Sequence, residues 1–359
     1  MLVTSSFAYT RHSYAQTTFT IPNNGSFESY LLYKAPLLRY VYIQYNLKVT
    51  RIHIAYCSLH VVPKTIRNVP HLTSLIISSC RIRHLDLNDM AHLKSLYTVD
   101  LSHNLIVSIA ELPSAMALHV HRLYLAGNRL RHLNARVLHA LKELRCLVLD
   151  GNRLEEITPP LVNPSIEELS IRNNRLRTLN CTDWRLPQLK YFFCSNNQLT
   201  SAPIEWQSMW RIGMLDLSFN RLRNFRMDDI YLTQLRELNL AANELTNVTT
   251  NQTQLRIPLE RLQLAYNRLT ALDISRWDMP NLWGLGVNNN QLTELGDVFL
   301  RFPNLDAMLI MRYNNWSCGW LKRVHPGDLL RRNYGCLNTN QSCPVGRMMV
   351  AENVWICCW

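Results

Sequence analysis

The chain has 359 residues, of which 47% are hydrophobic and 18% charged, a balance that is typical of a folded protein and excludes an intrinsically disordered one. Lysine and arginine exceed aspartate and glutamate by 38 to 26, which gives a formal net charge of +12. This excess fits either a well-solvated basic surface or an acidic or anionic partner.

The first 48 residues are aromatic and weakly patterned, and we expect residues 1–48 to contain an N-terminal cap. The opening stretch, MLVTSSFAYTRHSYAQTTF, lacks the apolar core of about 7 to 15 residues that a signal peptide needs, so we interpret the start as incomplete. The sequence has no run of about 18 apolar residues, and we therefore predict no membrane span.

An internal repeat dominates the middle of the chain. Segments such as LYTVDLSHNLI, VHRLYLAGNRL and LERLQLAYNRL recur at intervals of 22 to 24 residues. The asparagines at the shared position are Asn104, Asn128, Asn152, Asn174, Asn197, Asn220, Asn243, Asn267 and Asn290. Cys57 and Cys80 take this position in two earlier units, and Tyr313 takes it in a degenerate last unit, so about twelve units cover residues 49–315.

The pattern L-x-x-L-x-L-x-x-N/C-x-L resembles the leucine-rich-repeat family. The resemblance implies an α/β solenoid, or horseshoe, with a concave parallel sheet. In each unit the apolar side chains point inward from a short strand, and only stacking of successive units buries them. The inward asparagine is expected to hydrogen-bond the backbone of the turn that follows.

The segments between the predicted strands differ from unit to unit. After Asn128 the run LNARVLHALKEL has Leu133, Val137 and Leu141 four residues apart, which predicts a short helix. After Asn152 the run EITPPLVNPSI contains three prolines and is predicted to be extended.

The last segment, residues 316–359, is rich in cysteine. Trp316, Cys318 and Leu321 follow the final unit and resemble the cysteine-containing C-terminal cap of extracellular leucine-rich-repeat proteins, although Trp320 stands where that pattern has a second cysteine. Five cysteines lie here: Cys318, Cys336, Cys343, Cys357 and Cys358. If Cys318, Cys336 and Cys343 form the cap disulfides with one member of the terminal pair, one cysteine is left for a bond to another chain. The alternative is a chain that ends before its partner sequence.

The other five cysteines lie in the repeats. Cys57, Cys80 and Cys194 occupy inward positions and are predicted to be small core residues. A bridge between Cys181 and Cys194 is left open, and Cys146, which points outward, is either a free thiol or a second intermolecular site. The bridging chemistry of the cap favours an oxidising compartment.

The mixed repeat length, the cysteines after the repeats and the terminal Cys357-Cys358 pair together resemble the insect leucine-rich-repeat immune proteins best known from mosquitoes. The resemblance implies secretion, disulfide-linked dimers and binding of complement-like thioester-containing proteins. This chain has no coiled coil after the cysteine pair, so it is similar to a coil-less or truncated member, and Cys357 and Cys358 are the intermolecular disulfide candidates. The alternative is another extracellular recognition protein, such as a receptor ectodomain fragment or a matrix protein.

A candidate partner-binding surface lies on the outward positions of the middle strands, because side chains alternate across a strand. Its apolar members are Tyr124, Val148, Tyr191, Phe193, Met214 and Phe219. Acidic residues border it at Asp100, Asp150, Glu168, Asp216 and Glu237. Such a surface marks an interaction site, although cross-strand packing that stabilises the sheet explains it equally well.

A row of arginines follows the shared asparagine and comprises Arg129, Arg153, Arg175, Arg221 and Arg268. This row is interpreted as ordinary turn residues of the repeat, with an anion-binding ridge as the alternative.

Glycosylation sequons occur at Asn24, Asn180, Asn247, Asn251, Asn315 and Asn340. We predict no enzyme and no cofactor, because the sequence lacks a nucleophile elbow, a phosphate-cradling glycine loop and paired catalytic carboxylates. His119 and His121 offer two outward imidazoles, but without a third ligand in the sequence pattern no metal site is predicted.

Overall fold

The computed structural model describes residues 7–9, 14–112, 118–203, 205, 209–231, 233–305, 308–324, 346–351 and 354–358. The chain divides into two compact units. The first contains Met1–Leu176 and Asn180–Leu189, and the second contains Arg177–Leu179 and Lys190–Trp359.

The first unit is a parallel β-solenoid. Its strands are β1 (Phe7–Tyr9), β2 (Thr18–Ile21), β3 (Ser29–Ala35), β4 (Tyr40–Ile43), β5 (Arg51–Cys57), β6 (Ser74–Ser78), β7 (His84–Asp86), β8 (Thr98–Asp100), β9 (Ser108–Ala110), β10 (Arg122–Tyr124), β11 (His132–Asn134), β12 (Cys146–Val148), β13 (Glu156–Thr158), β14 (Leu161–Val162), β15 (Glu168–Ser170) and β16 (Trp184–Arg185). The main ladder runs β1-β3-β5-β6-β8-β10-β12-β15, and the other strands form the pairs β2–β4, β7–β9, β11–β13 and β14–β16.

Register explains why the repeat motif builds this ladder. Leu123 pairs with Leu147, and Leu147 pairs with Leu169, so equivalent residues of successive coils stand side by side. All three leucines are buried, while the residues on either side of each point to the opposite face. One coil cannot cover its own leucines, and the neighbouring coils supply that cover.

Two of the segments between the main strands have the kind of conformation that the sequence predicts. After Asn128 a short 3-10 helix, Ala135–Leu138, begins where the Asn134 side chain accepts a hydrogen bond from the Arg136 N–H at 3.1 Å. Two further 3-10 helices of this unit span Lys64–Asn68 and Leu87–Met90. After Asn152 the proline-containing run is extended, as predicted, and forms β13 and β14.

The solenoid begins before Val49, earlier than the repeat motif indicates. Strand β3 pairs in parallel with β5, and Ala35 lies opposite Cys57. The residue before each, Lys34 and Tyr56, has a φ of 56°. The sequence motif is hard to recognise here because Tyr30 and Ala35 replace the leucine and the asparagine.

The second unit continues the same architecture with its own ladder. Its strands are β17 (Tyr191–Phe193), β18 (Met214–Asp216), β19 (Asn224–Arg226), β20 (Glu237–Asn239), β21 (Asn247–Thr249), β22 (Leu255–Arg256), β23 (Arg261–Gln263), β24 (Trp277–Asp278), β25 (Gly284–Gly286), β26 (Met308–Ile310), β27 (Gly346–Ala351) and β28 (Val354–Cys358). The ladder runs β17-β18-β20-β23-β25-β26, with the pairs β19–β21 and β22–β24 beside it and an antiparallel hairpin, β27–β28. The described part of this unit also contains helices α1 (Val298–Arg301) and α2 (Cys318–Arg323) and a 3-10 helix, Met227–Ile230.

The predicted asparagine ladder is present. Asn267 is typical: its Nδ2 donates to the carbonyl oxygens of Leu240 and Leu264, each at 3.0 Å, and its Oδ1 accepts from the Leu245 N–H at 2.9 Å. The same pattern of donation to two coils recurs at Asn104, Asn128, Asn152, Asn174, Asn220, Asn243 and Asn290.

The assignment of Tyr313 to this position in the last unit is wrong by one residue. Asn314 occupies it, donating to the Val287 and Met311 carbonyl oxygens at 2.9 and 3.1 Å. Strand β26 pairs Leu285 with Leu309, which makes this coil one residue longer than an ungapped alignment assumes. Tyr313 therefore falls in the turn, with a φ of 57°.

Two of the repeat cysteines are not the core thiols that the sequence analysis predicts. Cys57 and Cys80 form a disulfide with a Cα–Cα distance of 4.5 Å. Neighbouring parallel strands lie about 4.8 Å apart, so equivalent positions of successive coils fall within disulfide range. Cys181 and Cys194 are buried thiols. Burial raises the pKa of the Cys181 thiol far above its usual value.

The C-terminal cap is built around two tryptophans and a disulfide. The Trp316 indole donates to the Met311 carbonyl at 2.9 Å, the Trp320 indole donates to the Gly296 carbonyl at 3.0 Å, and the two ring centroids lie 4.9 Å apart. Cys318, at the start of α2, is bonded to Cys358 on β28.

Cys357 is also disulfide-bonded. Within this single chain both sulfurs of the terminal pair are bonded, and the intermolecular role of Cys357 and Cys358 stays a prediction. The other two cap cysteines of the sequence analysis, Cys336 and Cys343, lie outside the described residues.

Candidate binding surfaces

The outward face of the first unit carries two of the predicted partner-binding residues. Tyr124 on β10 lies opposite Val148 on β12, and both are half-buried. They flank the buried Leu123 and Leu147, as the alternation of side chains along a strand requires. The two residues thus share a face of the ladder.

Cys146 lies on the same face as Tyr124, and its surroundings hold it in the thiol form. Burial and the nearby Glu168 carboxylate raise the pKa of Cys146 to about 11, against opposing contributions from Tyr124 and Arg122. Burial also raises the pKa of Tyr124. Because the thiolate is the reactive species, this thiol is poorly suited to exchange with another chain.

Several of the acidic residues that border the surface are committed to local structure. Asp100 accepts from the Ser102 N–H at 2.9 Å. Asp150 accepts from the Ser170 hydroxyl at 2.6 Å and from the Arg172 N–H at 2.8 Å. In the second unit, Asp216 accepts from the Ser218 N–H and hydroxyl, and Glu237 pairs with Arg261. The three aspartates thus shape the turns that follow the strands, and Glu237 makes an ion pair across two neighbouring strands.

The outward face of the second unit brings together Tyr191, Phe193 and Met214. Tyr191 and Phe193 point the same way from β17, and their rings stack with centroids 6.5 Å apart. Met214 lies directly opposite Tyr191 on β18. Tyr191 is 46% exposed, whereas Phe193 and Met214 are half-buried. This cluster is a continuous apolar area on two adjacent strands.

Phe219 lies in the turn after β18 rather than on the strand, and it belongs to a row that the sequence analysis did not recognise. Tyr266 and Tyr313 hold the same place, one residue before the ladder asparagine of their coils. All three have a positive φ, of 54°, 56° and 57°, and they are 59%, 60% and 52% exposed. We call Phe219, Tyr266 and Tyr313 the turn aromatics. Their common motif position is the signal that could have revealed them.

The arginine row is not uniform. In the first unit Arg129, Arg153 and Arg175 follow the asparagines of three successive coils. In the second unit the coil between Arg221 and Arg268 has Glu244 at this place, and Glu244 lies 3.5 Å from the Arg268 guanidinium.

The two outward histidines meet a carboxylate. His119 Nδ1 lies 2.9 Å and His121 Nε2 lies 3.8 Å from the Glu143 carboxylate oxygens. The His121 ring stacks on Tyr97 with centroids 4.3 Å apart. Over the part of the chain that the structure describes, no group of three or more histidine, cysteine or acidic residues is arranged to hold a metal ion.

The glycosylation candidates that fall within the described residues are all exposed: Asn24, Asn180, Asn247, Asn251 and Asn315. Asn340 lies outside those residues. In the described parts, no helix has both the length and the apolar character to cross a bilayer.

Comparison with known sequences finds leucine-rich repeats. The family model described as leucine rich repeat matches residues 95–154. Podocan-like protein 1 of Mus musculus is 28% identical over 267 residues, which are 65% of this chain and 46% of that protein. Lumican of Rattus norvegicus is 23% identical over 233 residues, 64% of this chain and 61% of that protein. Adenylate cyclase of Schizosaccharomyces pombe is 26% identical over 241 residues, but only 14% of that enzyme is aligned. The chain thus spans less than two thirds of each of these relatives.

Comparison with solved structures finds the same fold. The LRIM1/APL1C complex matches 94% of this chain and 62% of its own chain, with a TM-score of 0.71 and 18% identity. The leucine-rich repeat domain of APL1 matches 94% of this chain and 87% of its own, with a TM-score of 0.70 and 20% identity. At such identities the likeness concerns the fold. The coil architecture, the asparagine ladder and the sequence match over residues 95–154 together show a leucine-rich-repeat fold.

Proposed function

We propose that this chain is a secreted, non-enzymatic module of innate immunity that binds a complement-like thioester-containing protein through the outward aromatic surface of its second unit. The fold matches to LRIM1/APL1C and APL1 support the immune assignment. The observation that carries the binding surface is the row of turn aromatics, Phe219, Tyr266 and Tyr313.

These residues occupy a backbone conformation that aromatic side chains seldom adopt. A left-handed φ costs about 1–2 kcal/mol for a residue with a Cβ, and glycine and asparagine tolerate it best. The equivalent residues in other coils include Gly127, Gly151, Asn196 and Asn289, which fit this rule, and Tyr56, Ser79, His103 and Ala242, which do not. The turn aromatics adopt this unfavourable φ although more than half of each side chain faces solvent. Strain of this kind at exposed sites points to a functional requirement.

The spacing of the turn aromatics suits a protein partner. They occur in alternate coils, so neighbouring members are separated by two strand spacings, roughly 10 Å. The cluster of Tyr191, Phe193 and Met214 adds apolar surface on the strands of the same unit. Aromatic residues dominate the binding energy of interfaces where a partner covers them.

The alternative function is that of a matrix-associated or receptor-type recognition protein. The matches to podocan-like protein 1 and lumican favour it, since they align with about two thirds of this chain. Both functions use a protein-binding surface, and they differ in the identity of the partner.

The test is a binding titration of the secreted, disulfide-bonded chain against a purified complement-like thioester-containing protein. We expect the triple variant Phe219→Asn, Tyr266→Asn, Tyr313→Asn to weaken binding by about tenfold or more. Ala242→Asn is the matched control, because Ala242 holds the same turn position with a φ of 54° and carries no aromatic ring. Equal affinity of the triple variant and the wild type would overturn the proposed surface. A folded wild-type chain that binds no thioester protein would overturn the immune assignment and leave the matrix or receptor alternative.

A further inference from the structure

An open cleft in the first unit is lined mainly by cationic and apolar side chains. Its volume is about 660 Å³, within the usual range for ligand sites. Arg129, Arg131, Arg153 and His132 line it, and all four residues are exposed. The cleft is far from the turn aromatics in sequence and belongs to the other unit, so it is independent of the proposed protein-binding surface.

The cleft lies between two of the strand pairs beside the main ladder. On this side of the solenoid β7 pairs with β9 and β11 pairs with β13, but these two pairs form separate sheets. Residues of both sheets line the cleft, including Ser108 of β9 and Thr158 of β13. The cleft therefore lies where two strand pairs that do not join each other border it.

Positive charge is concentrated at this place, although two carboxylates lie beside it: Glu111 accepts from the Asn134 amide, and Glu156 lies opposite His132. Arg129 and Arg153 hold equivalent positions in successive coils, so their backbones lie roughly 5 Å apart. Arg131 follows Arg129 by two residues. No carboxylate is among the lining residues, and within the described residues none of these three guanidinium groups has an acidic group at ion-pair distance. Arg268, by contrast, holds the same coil position and pairs with Glu244 at 3.5 Å.

The rest of the lining combines apolar and hydrogen-bonding groups. Val107 is 47% exposed at the cleft, and Leu133 and Val137 also contribute to its wall. The Asn134 amide is already engaged, donating to the Glu111 carboxylate and accepting from the Arg136 N–H. Three guanidinium groups beside hydroxyl and aliphatic groups match a ligand that carries several oxyanions on a polar carbon framework.

We propose that this cleft binds an anionic carbohydrate through sulfate or phosphate esters. The planar guanidinium fork donates two parallel hydrogen bonds to a tetrahedral oxyanion, and Arg129, Arg131 and Arg153 offer three such forks within one cleft. Single-stranded nucleic acid fits less well, because no phenylalanine, tyrosine or tryptophan lines the cleft to stack on a base. Glu155 and Glu156 follow Arg153 in the chain but are not part of the lining, and they set one boundary to the positive surface.

The experiment is a calorimetric titration of the whole chain with a heparin hexasaccharide at about 0.15 M salt, where nonspecific attraction between exposed charges is partly screened. The test variant is Arg129→Gln, Arg153→Gln. The matched control is Arg81→Gln, Arg221→Gln, which removes the same charge from the same coil position at sites that do not line the cleft. A third variant, Arg131→Glu, installs the residue that the next coil carries at the equivalent position, Glu155.

We expect the cleft pair to lose about tenfold or more in affinity, the control pair to change by less than about twofold, and Arg131→Glu to abolish binding. Circular dichroism and thermal melts should be unchanged for all three variants. Equal losses in the test and control pairs would assign the binding to net charge and overturn the proposal, as would a wild type that does not bind. Competition by inositol hexakisphosphate but not by free sulfate or phosphate would identify an ester-bearing framework as the ligand, whereas equal competition by the free ions would contradict a carbohydrate site.

Discussion

Cys57 and Cys80, which are 23 residues apart, are joined by a disulfide at the coil position that asparagine occupies in later units. In those units the asparagine side chain ties two coils together through hydrogen bonds to carbonyl oxygens of both. The first cysteine-bearing coils thus have a covalent bond where the others have a hydrogen-bonded amide. Both connections join equivalent positions of successive coils.

We predict that Cys57→Ser, Cys80→Ser lowers the free energy of unfolding of the first unit. A disulfide that closes a loop of this length contributes about 3 kcal/mol, chiefly by restricting the unfolded chain. Urea denaturation without reductant, followed by circular dichroism, measures the difference. Cys146→Ser is the control, because Cys146 forms no disulfide in the structure and its replacement should leave the midpoint nearly unchanged.

A second variant separates the covalent bond from the ladder. In Cys57→Asn, Cys80→Asn, each amide can donate to backbone carbonyls as Asn104 does toward Ile77 and Leu101. We expect this variant to be more stable than the serine pair, since it restores hydrogen bonds to buried carbonyls. An asparagine pair as unstable as the serine pair would mean that the first coils cannot accept the ladder.

The fold could be predicted where the same residue type occupies a motif position in every coil. It was harder to predict where a different residue type occupies that position. Asparagine identifies its own position because few other side chains satisfy the buried carbonyls. Ala35 has no side chain that could satisfy these carbonyls, so the motif does not identify the coil that contains β3. The disulfide between Cys57 and Cys80 forms because the two residues hold equivalent positions in neighbouring coils. The sequence indicates this closeness only once the coils are correctly aligned.

The candidate surface was predictable only in part, for a related reason. Tyr191, Phe193 and Met214 follow from strand alternation, which is regular. Tyr266 and Tyr313 belong to the turn, where conformation rather than alternation decides exposure. The cleft of the first unit depends on which neighbouring strands pair, and the repeat motif does not specify that side of the coil.

We predict opposite effects on stability and on binding when the turn aromatics are replaced. Phe219→Asn and Tyr266→Asn should each leave the free energy of unfolding unchanged or raise it by up to about 1 kcal/mol, because asparagine tolerates the left-handed φ better than an aromatic residue. The same substitutions should weaken binding of the protein partner. Denaturation curves and binding titrations on the same preparations measure both quantities. A loss of more than about 1 kcal/mol in stability would assign the rings a structural role instead.

We predict that Cys146 resists alkylation near neutral pH. With a pKa of about 11, only about one thiol in a thousand is ionised at pH 8. Iodoacetamide labelling, quantified by peptide mass spectrometry at Cys146, should therefore be slow and should accelerate as the pH approaches 11. Glu168→Gln should speed the reaction several-fold at pH 8, because removing that carboxylate lowers the pKa of the thiol. Glu156→Gln is the control, and an equal acceleration there would exclude a specific effect of Glu168.

The raised pKa of Cys146 also makes the free energy of unfolding depend on pH. The folded chain holds Cys146 as a thiol with a pKa above the unfolded value, so its stabilising contribution is complete below about pH 9 and is lost as the pH rises through about 11. Cys181 adds to the effect, because burial raises its pKa further. Cys146→Ser should weaken the alkaline loss of stability, measured by urea midpoints between about pH 8 and 11. A profile identical to that of the wild type would contradict this linkage.

The cap disulfide leads to a prediction about assembly. Because Cys358 is bonded to Cys318 across a sequence separation of 40 residues, and Cys357 is also disulfide-bonded, we expect that neither member of the terminal pair joins two oxidised wild-type chains on non-reducing gels. Cys358→Ser should lower the stability of the second unit by about 4 kcal/mol, because it opens that loop. It also leaves the Cys318 thiol free to react with another chain, so covalent dimers should be more abundant in the variant than in the wild type. A reductant-sensitive dimer of the wild type that disappears in Cys358→Ser would show the reverse, namely that the terminal pair joins two chains.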